Sequence, residues 1–478
     1  MNSFPDPLTT PFNDEMHHRD IDELSLSNLS DNSSTTSNDH DLDSATFFEG
    51  PEKTLEVQFT PTTPTTLGLR SLSRKILDKI CLRARCTIIS KVSNAYLDAY
   101  VLSESSLFIY PFMLVLKTCG TTTLLRCVKT LLQFACNPKT CEGNLVVEWV
   151  GYSRKNFSFP ELQLKTGPHT SFQAELEYIA RHEHLSRSLK GNGYTLGPVT
   201  GDHWFVFVAD RTQRSNFVAT DRVVNIMMFD IDPELAKNFY YNQYLDEDEA
   251  HTNNDIDNDN DNDTDLVRDK IIGSKMLKKG KLGELCPGAI IDPMAFQPCG
   301  FSMNAILYKS YSTIHVTPEA DSSYASFETN QPLGSYGSLI NNVVRTFRPR
   351  RFVLTLMADE GGVQLMQDNP LAPVHSKKRS EIVIKSREGD GAGVISYSRK
   401  SLASIQVEDD TVCMMGNFEL KGGGGEWGEK EKEKLKQKGG EEGSGGNDFD
   451  RGGGVGGGGD DANTRTRPIK MRPSLSIG

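Results

Sequence analysis

The chain has 478 residues, 24% of them charged, with 64 acidic against 52 basic side chains and a formal net charge of −12. That balance excludes nucleic acid as a main partner, because phosphate binding needs clustered Lys and Arg, and the longest strongly apolar run, Leu107–Leu116, is too short to span a bilayer. Nine cysteines form no C-x-x-C pair and no zinc-spaced Cys/His set, so a reduced compartment fits and no metal site is expected. The N-terminus carries Asp and Glu where a signal or transit peptide needs basic and apolar segments, which predicts a soluble, cytoplasmic protein with no membrane partner.

Residues 1–45 are polar and too poor in apolar side chains to offset the entropy of ordering, which predicts a disordered arm. Strand-length apolar or alternating segments follow at Leu55–Phe59, Thr87–Val92 and Leu107–Leu116. Helical spacing appears at Thr121–Ala135, where Leu124, Val128, Leu131 and Leu132 share a face, and at Ser171–Leu185. His203–Val208 and Val223–Phe229 read as strands, and an Asp/Asn-rich insert then spans 246–265. The insert superficially suggests calcium, but it lacks the turn Gly, the terminal Glu and the flanking helices of an EF-hand, so it reads as a solvated acidic loop. Strands at Thr313–Val316, Phe352–Met357 and Glu381–Ile384 enclose a helix at Ser338–Phe347. From 421 to 478, Gly runs around a charged stretch predict a flexible tail whose basic end (Arg465, Arg467, Lys470, Arg472) is solvated. The core, 46–420, is long enough to fold without staples. Its strands come mostly without helices between them, so the fold class is α+β, with antiparallel sheets and helices on their outer faces.

One segment breaks the apolar pattern: Tyr100-Val-Leu-Ser-Glu-Ser-Ser106. Alone it reads as a turn. It stands in order, however, with Phe47-Phe-Glu-Gly-Pro-Glu-Lys53, Leu116-Lys-Thr-Cys-Gly-Thr-Thr122, Tyr152-Ser-Arg-Lys-Asn-Phe157, Phe296-Gln-Pro-Cys-Gly-Phe-Ser-Met-Asn304, Thr313-Ile-His-Val-Thr-Pro-Glu319 and Tyr324-Ala-Ser-Phe-Glu-Thr-Asn330. Together these segments resemble the signature segments of the eukaryotic S-adenosylmethionine decarboxylase proenzymes, across most of the core.

The resemblance implies a four-layer α/β/β/α sandwich that cuts itself between Glu104 and Ser105. Decarboxylating an amino acid leaves a carbanion that needs an electron sink, and no standard side chain offers one. The implied sink is a pyruvoyl group made from Ser105, which forms a Schiff base with the substrate. Ser302 and His315 match the family's processing residues, as oxyanion stabiliser and base, and Cys119 matches its proton donor. Phe48 and Phe296 match the rings that sandwich adenine, and Glu319 the acceptor for the ribose hydroxyls. Glu104 joins that substrate set, and Glu49 and Glu52 match required acidic residues. Outside the resemblance, His315 would be a structural strand residue, Ser302 a turn residue, Phe48 core and the two glutamates a solvated turn. A Ser/His hydrolase is the other chemistry for these residue types, but no G-x-S-x-G elbow supports it.

Animal members also bind putrescine at a buried acidic site. Glu56, Lys117, Ser153, Asp221 and Glu328 match it, whereas Gly151 replaces an aromatic, Val223 a Thr and Asn225 a Glu. Losing an acceptor and an aromatic face predicts weak or absent putrescine stimulation. The implied product is decarboxylated S-adenosylmethionine for spermidine and spermine synthesis. Implied partners are S-adenosylmethionine, the chain's own cleaved pieces (1–104 with 105–478) and, as in some members, a homodimer of cleaved pairs. A catalytically inactive relative that activates an active subunit is the alternative, but such a protein is expected to have lost Ser105, Cys119 or His315, and all three are present. Pyruvoyl chemistry on another amino acid would leave Phe48, Phe296 and Glu319 with no nucleoside to hold.

Overall fold

Alternation along the strands decides which residues face which layer. The computed structural model describes residues 49–163, 167–182, 185, 189–210, 222–245, 262–319, 322–367, 369, 371, 381–385, 394–407 and 411–421. The expected arm (1–45), the tail beyond Lys421, the insert through residue 261, Phe48 and Asp221 lie outside these residues.

The first sheet contains β1 (Lys53–Pro61), β2 (Ile88–Ser93), β3 (Asp98–Leu102), β4 (Ser105–Ile109), β5 (Met113–Thr118), β6 (Leu145–Lys155), β7 (Lys190–Leu196) and β8 (Trp204–Asp210). The second contains β9 (Arg222–Phe229), β10 (Ile290–Ala295), β11 (Phe301–Leu307), β12 (Ser310–Thr317), β13 (Tyr324–Thr329), β14 (Arg351–Asp359), β15 (Glu381–Lys385), β16 (Val394–Val407) and β17 (Thr411–Leu420). The orders are β2-β3-β4-β5-β1-β6-β8-β7 and β10-β11-β12-β13-β9-β14-β17-β16-β15. Neighbouring strands in both sheets run antiparallel.

In β1, Leu55, Val57 and Phe59 face a helix layer made by α1 (Arg74–Arg83), α2 (Cys127–Ala135) and α3 (Phe172–Ala180), which contribute Leu77, Ile80, Val128, Leu131 and Ile179. The second sheet packs Ile226, Met228, Ile314 and Leu354 against α4 (Asn262–Lys279) and α5 (Gly337–Phe347). The two remaining faces meet. Trp149, Trp204 and Val206 pack on Met227, Phe229 and Val353. Phe108 stacks on Tyr311 across the seam, ring centroids 4.1 Å apart. The result is the four-layer α+β sandwich expected.

Four local expectations need correction. Leu107–Leu116 is two strands, β4 and β5, because Pro111 interrupts the run and Tyr110 N–H donates to Met113 O at 2.8 Å to close a turn. The helix expected at Thr121–Ala135 begins only at Cys127, after a 3-10 turn at Leu124–Arg126, and that expected at Ser171–Leu185 ends at Ala180. The acidic insert does not stay a loop to residue 265. Its end belongs to α4, where Asp269 accepts from Tyr241 Oη at 2.6 Å while Ile272 and Met276 enter the core.

Candidate active site at the seam between the sheets

Polar residues line up where the sheets face each other. On the second sheet, Ser302 pairs with His315 and His315 with Ser326, and one step along, Asn304 pairs with Thr313 and Thr313 with Glu328. On the first, Ser106 pairs with Lys117, Lys117 with Thr54 and Thr54 with Ser153. These rows sit between the apolar packing around Trp149 and that around Phe108.

Ser105 opens β4 with φ +145°, a backbone region costly for any residue with a Cβ. By alternation from Ser106 and Phe108 its side chain would face the helix layer. Instead its Oγ lies 3.1 Å from His315 Nε2. Ser106 Oγ and Thr313 Oγ1 lie 3.2 and 2.9 Å from the same nitrogen, and Ser302 Oγ lies 2.8 Å from Nδ1. Ser106 in turn donates to Asn304 Oδ1 at 2.7 Å. Burial, aided by the Lys117 charge, pushes the His315 pKa down to about 3, so the ring is neutral at pH 7. With the proton on Nδ1 toward Ser302, the Nε2 lone pair faces the Ser105 hydroxyl.

On the other side of the same peptide, the Glu104 carbonyl accepts from Cys119 N–H at 3.0 Å and from Cys119 Sγ at 3.2 Å. Sequence comparison put Ser302 at the oxyanion. The Ser302 hydroxyl instead contacts the histidine, and the donors at this carbonyl come from Cys119. Burial, with the Glu104 and Glu52 charges behind it, holds the Cys119 thiol well above its usual pKa, so it is protonated and able to donate. Burial pushes the Glu104 carboxyl up to about 7.

Glu52 accepts from Ser326 Oγ at 2.5 Å and Tyr324 Oη at 3.0 Å, tying the start of β1 to β13. Glu49 accepts from Ser158 and Phe159 N–H at 3.1 and 2.8 Å, and its own carbonyl accepts from Gly120 N–H at 2.9 Å. Neither is a solvated turn residue. Phe296 packs with Met294 and with Val101, which pairs with Ser106, so an aromatic ring sits one strand from the Ser105 step. Glu319 lies near Cys299 and Tyr240, its Oε2 buried with no hydrogen-bond partner among the described residues.

Beyond the polar rows the seam widens into a cavity lined by Glu56, Trp149, Gly151, Ser153, Asn225 and Glu328, among others. An aromatic face is not lost here. A Cβ on Gly151 would stand 2.2 Å from the Trp149 indole, so the glycine makes room for a ring two residues earlier on the same strand face. The acidic groups, however, are already engaged. Lys117 Nζ stands 2.6 Å from Glu328 Oε2, an ion pair by distance although off-line for a hydrogen bond. Tyr311 Oη donates to Glu328 Oε1 at 2.9 Å, and Gln58 Nε2 donates to Glu56 Oε1 at 2.7 Å. Val223 also lines this cavity.

Sequence reasoning passed over Asn304, Thr313, Ser326 and the Cys119 backbone donor. Asn304 and Thr313 each stand two residues from an expected site residue, Ser302 and His315, so period-2 alternation was a usable signal for both.

Among the described residues no helix is long and apolar enough to cross a membrane. The adenosylmethionine decarboxylase family profile matches residues 45–418. S-adenosylmethionine decarboxylase proenzymes of Dictyostelium discoideum, Drosophila melanogaster and Xenopus laevis are each 36% identical to the chain over 66% of its length, which covers 75%, 83% and 84% of theirs. A crystal structure of the Trypanosoma brucei AdoMetDC-delta26 monomer overlays 66% of the chain and 99% of its own length with a TM-score of 0.43 at 23% identity. With the family profile covering nearly the whole folded core, the chain belongs to the adenosylmethionine decarboxylase family.

Proposed function

We propose that the chain cuts itself between Glu104 and Ser105, and that the matured protein decarboxylates S-adenosylmethionine to S-adenosylmethioninamine and CO2. The observation that carries this reading is the geometry of one peptide: a strained serine whose hydroxyl touches a neutral histidine, preceded by a carbonyl that already accepts from two donors. Ser105 Oγ attacks the Glu104 carbonyl carbon as His315 Nε2 takes its hydroxyl proton. The developing oxyanion is met by Cys119 N–H and Sγ–H, and collapse expels the Ser105 nitrogen, which receives that proton from His315 and leaves as an amine, with an ester in place of the peptide. His315 then takes the Ser105 Cα proton. The electron pair forms a double bond at residue 105, Glu104 leaves as a carboxylate, and hydrolysis of the dehydroalanine releases ammonia and leaves a pyruvoyl group. That group supplies the electron sink for the carbanion formed on decarboxylation.

Other residues hold the substrate and return the proton. Phe296 offers a ring for the base, and cation–π attraction from such rings to the sulfonium is worth roughly 0.5–2 kcal/mol. The partnerless Glu319 oxygen suits the ribose hydroxyls, and Phe48 would supply the second ring. Cys119, kept protonated, is the donor to the product carbanion. Ser302 orients His315, and Glu49 and Glu52 fix the segments on either side of the site. The product is an aminopropyl donor for spermidine and spermine synthesis. All nine cysteines are thiols, which supports a cytoplasmic location.

The test is intact mass under denaturing conditions for the purified chain beside Ser105→Ala, with CO2 release measured from carboxyl-labelled S-adenosylmethionine. Two pieces meeting at Glu104/Ser105, the larger blocked at its N-terminus, with an uncut variant and label released by the wild type alone, are expected. A folded wild-type chain that stays whole and releases no label overturns the proposal and favours an inactive partner subunit.

A further inference from the structure

Lys53 is fully buried, at 0% exposure, and among the described residues it forms no ion pair. A lysine so placed needs a reason, because its charge is costly to desolvate. In register it lies beside Thr118 on one side and Arg154 on the other, so its side chain points toward the helix layer. From there its Nζ donates to Gly120 O at 2.9 Å, reaching the turn that follows β5 and carries Cys119. Gly120 has φ +60° and its N–H is held by Glu49 O, so both backbone groups of the residue after the thiol are tied down. Lys53 is itself held from the far side. Its ammonium sits 5.6 Å from the Phe157 ring centroid, and Arg154 covers the same ring at 4.0 Å while its Nε donates to Glu175 at 2.8 and 2.9 Å.

We propose that Lys53 is a positioning residue for Cys119: it pins the Cys119–Gly120 turn and supplies the buried positive charge that steadies the thiolate left when Cys119 gives up its proton. This rests on the proposed role of Cys119 as proton donor. The charged and titratable groups around the pair are Glu104 and Glu52, which oppose the thiolate, and Glu49, Glu175, Arg154 and His169 around the ammonium. Burial brings the Lys53 pKa down to about 8, so its charge fades across a reachable pH range.

The experiment follows alkylation of Cys119 by iodoacetamide against pH, located by peptide mass, in the full-length wild type, in Ser105→Ala, and in Lys53→Met and Lys53→Arg, together with kcat and KM. Lys53→Met keeps the length of the stem and loses the charge. Its Cys119 alkylation at pH 7, where Lys53 is still charged, is expected to fall about tenfold, one pKa unit, and kcat with it, while KM stays within about twofold. Lys53→Arg, whose guanidinium keeps its charge through this range, is expected to recover the alkylation rate at pH 7 without any break near pH 8, which a purely space-filling role would not predict. If Lys53→Met fails to fold, the wild type still decides: log rate should flatten near pH 8, where Lys53 loses its proton, and then resume its climb. A single unbroken unit slope, a Lys53→Met profile like the wild type's, or equal damage in Met and Arg variants overturns the proposal. A wild type that neither cuts nor decarboxylates, but whose Cys119 reactivity follows Lys53, would sink the functional reading and leave this link standing.

Discussion

Glu104→Gln, made in the Ser105→Ala chain so that both proteins stay uncut, should raise stability at alkaline pH and leave it nearly unchanged near pH 4.5. Burial pushes the Glu104 carboxyl from 4.5 to about 7, against the partial relief of the Lys53 charge and the Cys119 hydrogen bond. A folded-state pKa above the unfolded value means that the folded chain holds the proton more tightly, so its contribution is fully present below pH 4.5 and lost as pH rises through 7. A shift of about 2.5 units at about 1.4 kcal/mol each is roughly 3 kcal/mol, trimmed to about 2 kcal/mol for the partial exposure of the group. Glutamine cannot ionise and escapes the loss. Urea unfolding followed by tryptophan fluorescence suits the measurement, because Trp149 and Trp204 are buried in the seam. Titrations shared by both chains, such as those of His315 and His169, cancel in the difference. A gap between variant and parent that stays constant from pH 5 to 8, or narrows, would refute the idea that this carboxyl is held neutral.

His315 runs the other way. Its folded pKa of about 3 lies below the usual 6.5, so the unfolded chain binds the extra proton and stability falls as pH drops through 6.5 toward 3, by roughly 5 kcal/mol at most. His315→Asn should flatten that acid limb in urea titrations at pH 4 and 7, and should also leave the chain uncut by mass. Glu319→Gln removes the charge and replaces one acceptor oxygen with a donor, so the side chain can no longer accept from both ribose hydroxyls, and KM for S-adenosylmethionine should rise about tenfold with kcat within about threefold; unchanged KM would remove Glu319 from the substrate site. Putrescine should change kcat less than about twofold, because Lys117 and Tyr311 already occupy both Glu328 oxygens; a several-fold rise in initial rate would show that a diamine displaces them.

Layer order was legible in the sequence because inward and outward residues alternate: Leu55, Val57 and Phe59 announce a face before any contact is known. Leu107–Leu116 misled because both arms of a hairpin are apolar, and Pro111 was the one mark of the turn. The site's residue types were legible through their motifs, but its pairings were not. Ser302 and His315 are 13 positions apart and meet only because β11 and β12 pair in that register. The φ of Ser105 and the Cys119 N–H leave no trace in side-chain identity. Nothing in the sequence around Lys53 marks it as buried, and only the fold reveals that it is.

The proposed self-cleavage also raises the question of what would keep the pieces together, and the strand order answers it. The segment 1–104 owns β1, β2 and β3, whereas β4 and β5 of the longer piece lie between β3 and β1, and β6 of the longer piece covers the far side of β1. The proposed cut would open the short turn at Ser103 and Glu104 and touch only the last pair of the β3–β4 ladder, Leu102 with Ser105. Leu55, Val57, Phe59, Leu77, Ile80, Tyr100 and Leu102 of the shorter piece stay buried in the core that both pieces share, at roughly 1.5–3 kcal/mol for each aliphatic or aromatic side chain. That exceeds any entropy released by a single break in a turn. The two pieces should therefore co-elute on native gel filtration at the position of the uncut Ser105→Ala chain, and part only in denaturant; a longer piece eluting alone would mean that the interleaved sheet does not survive the cut.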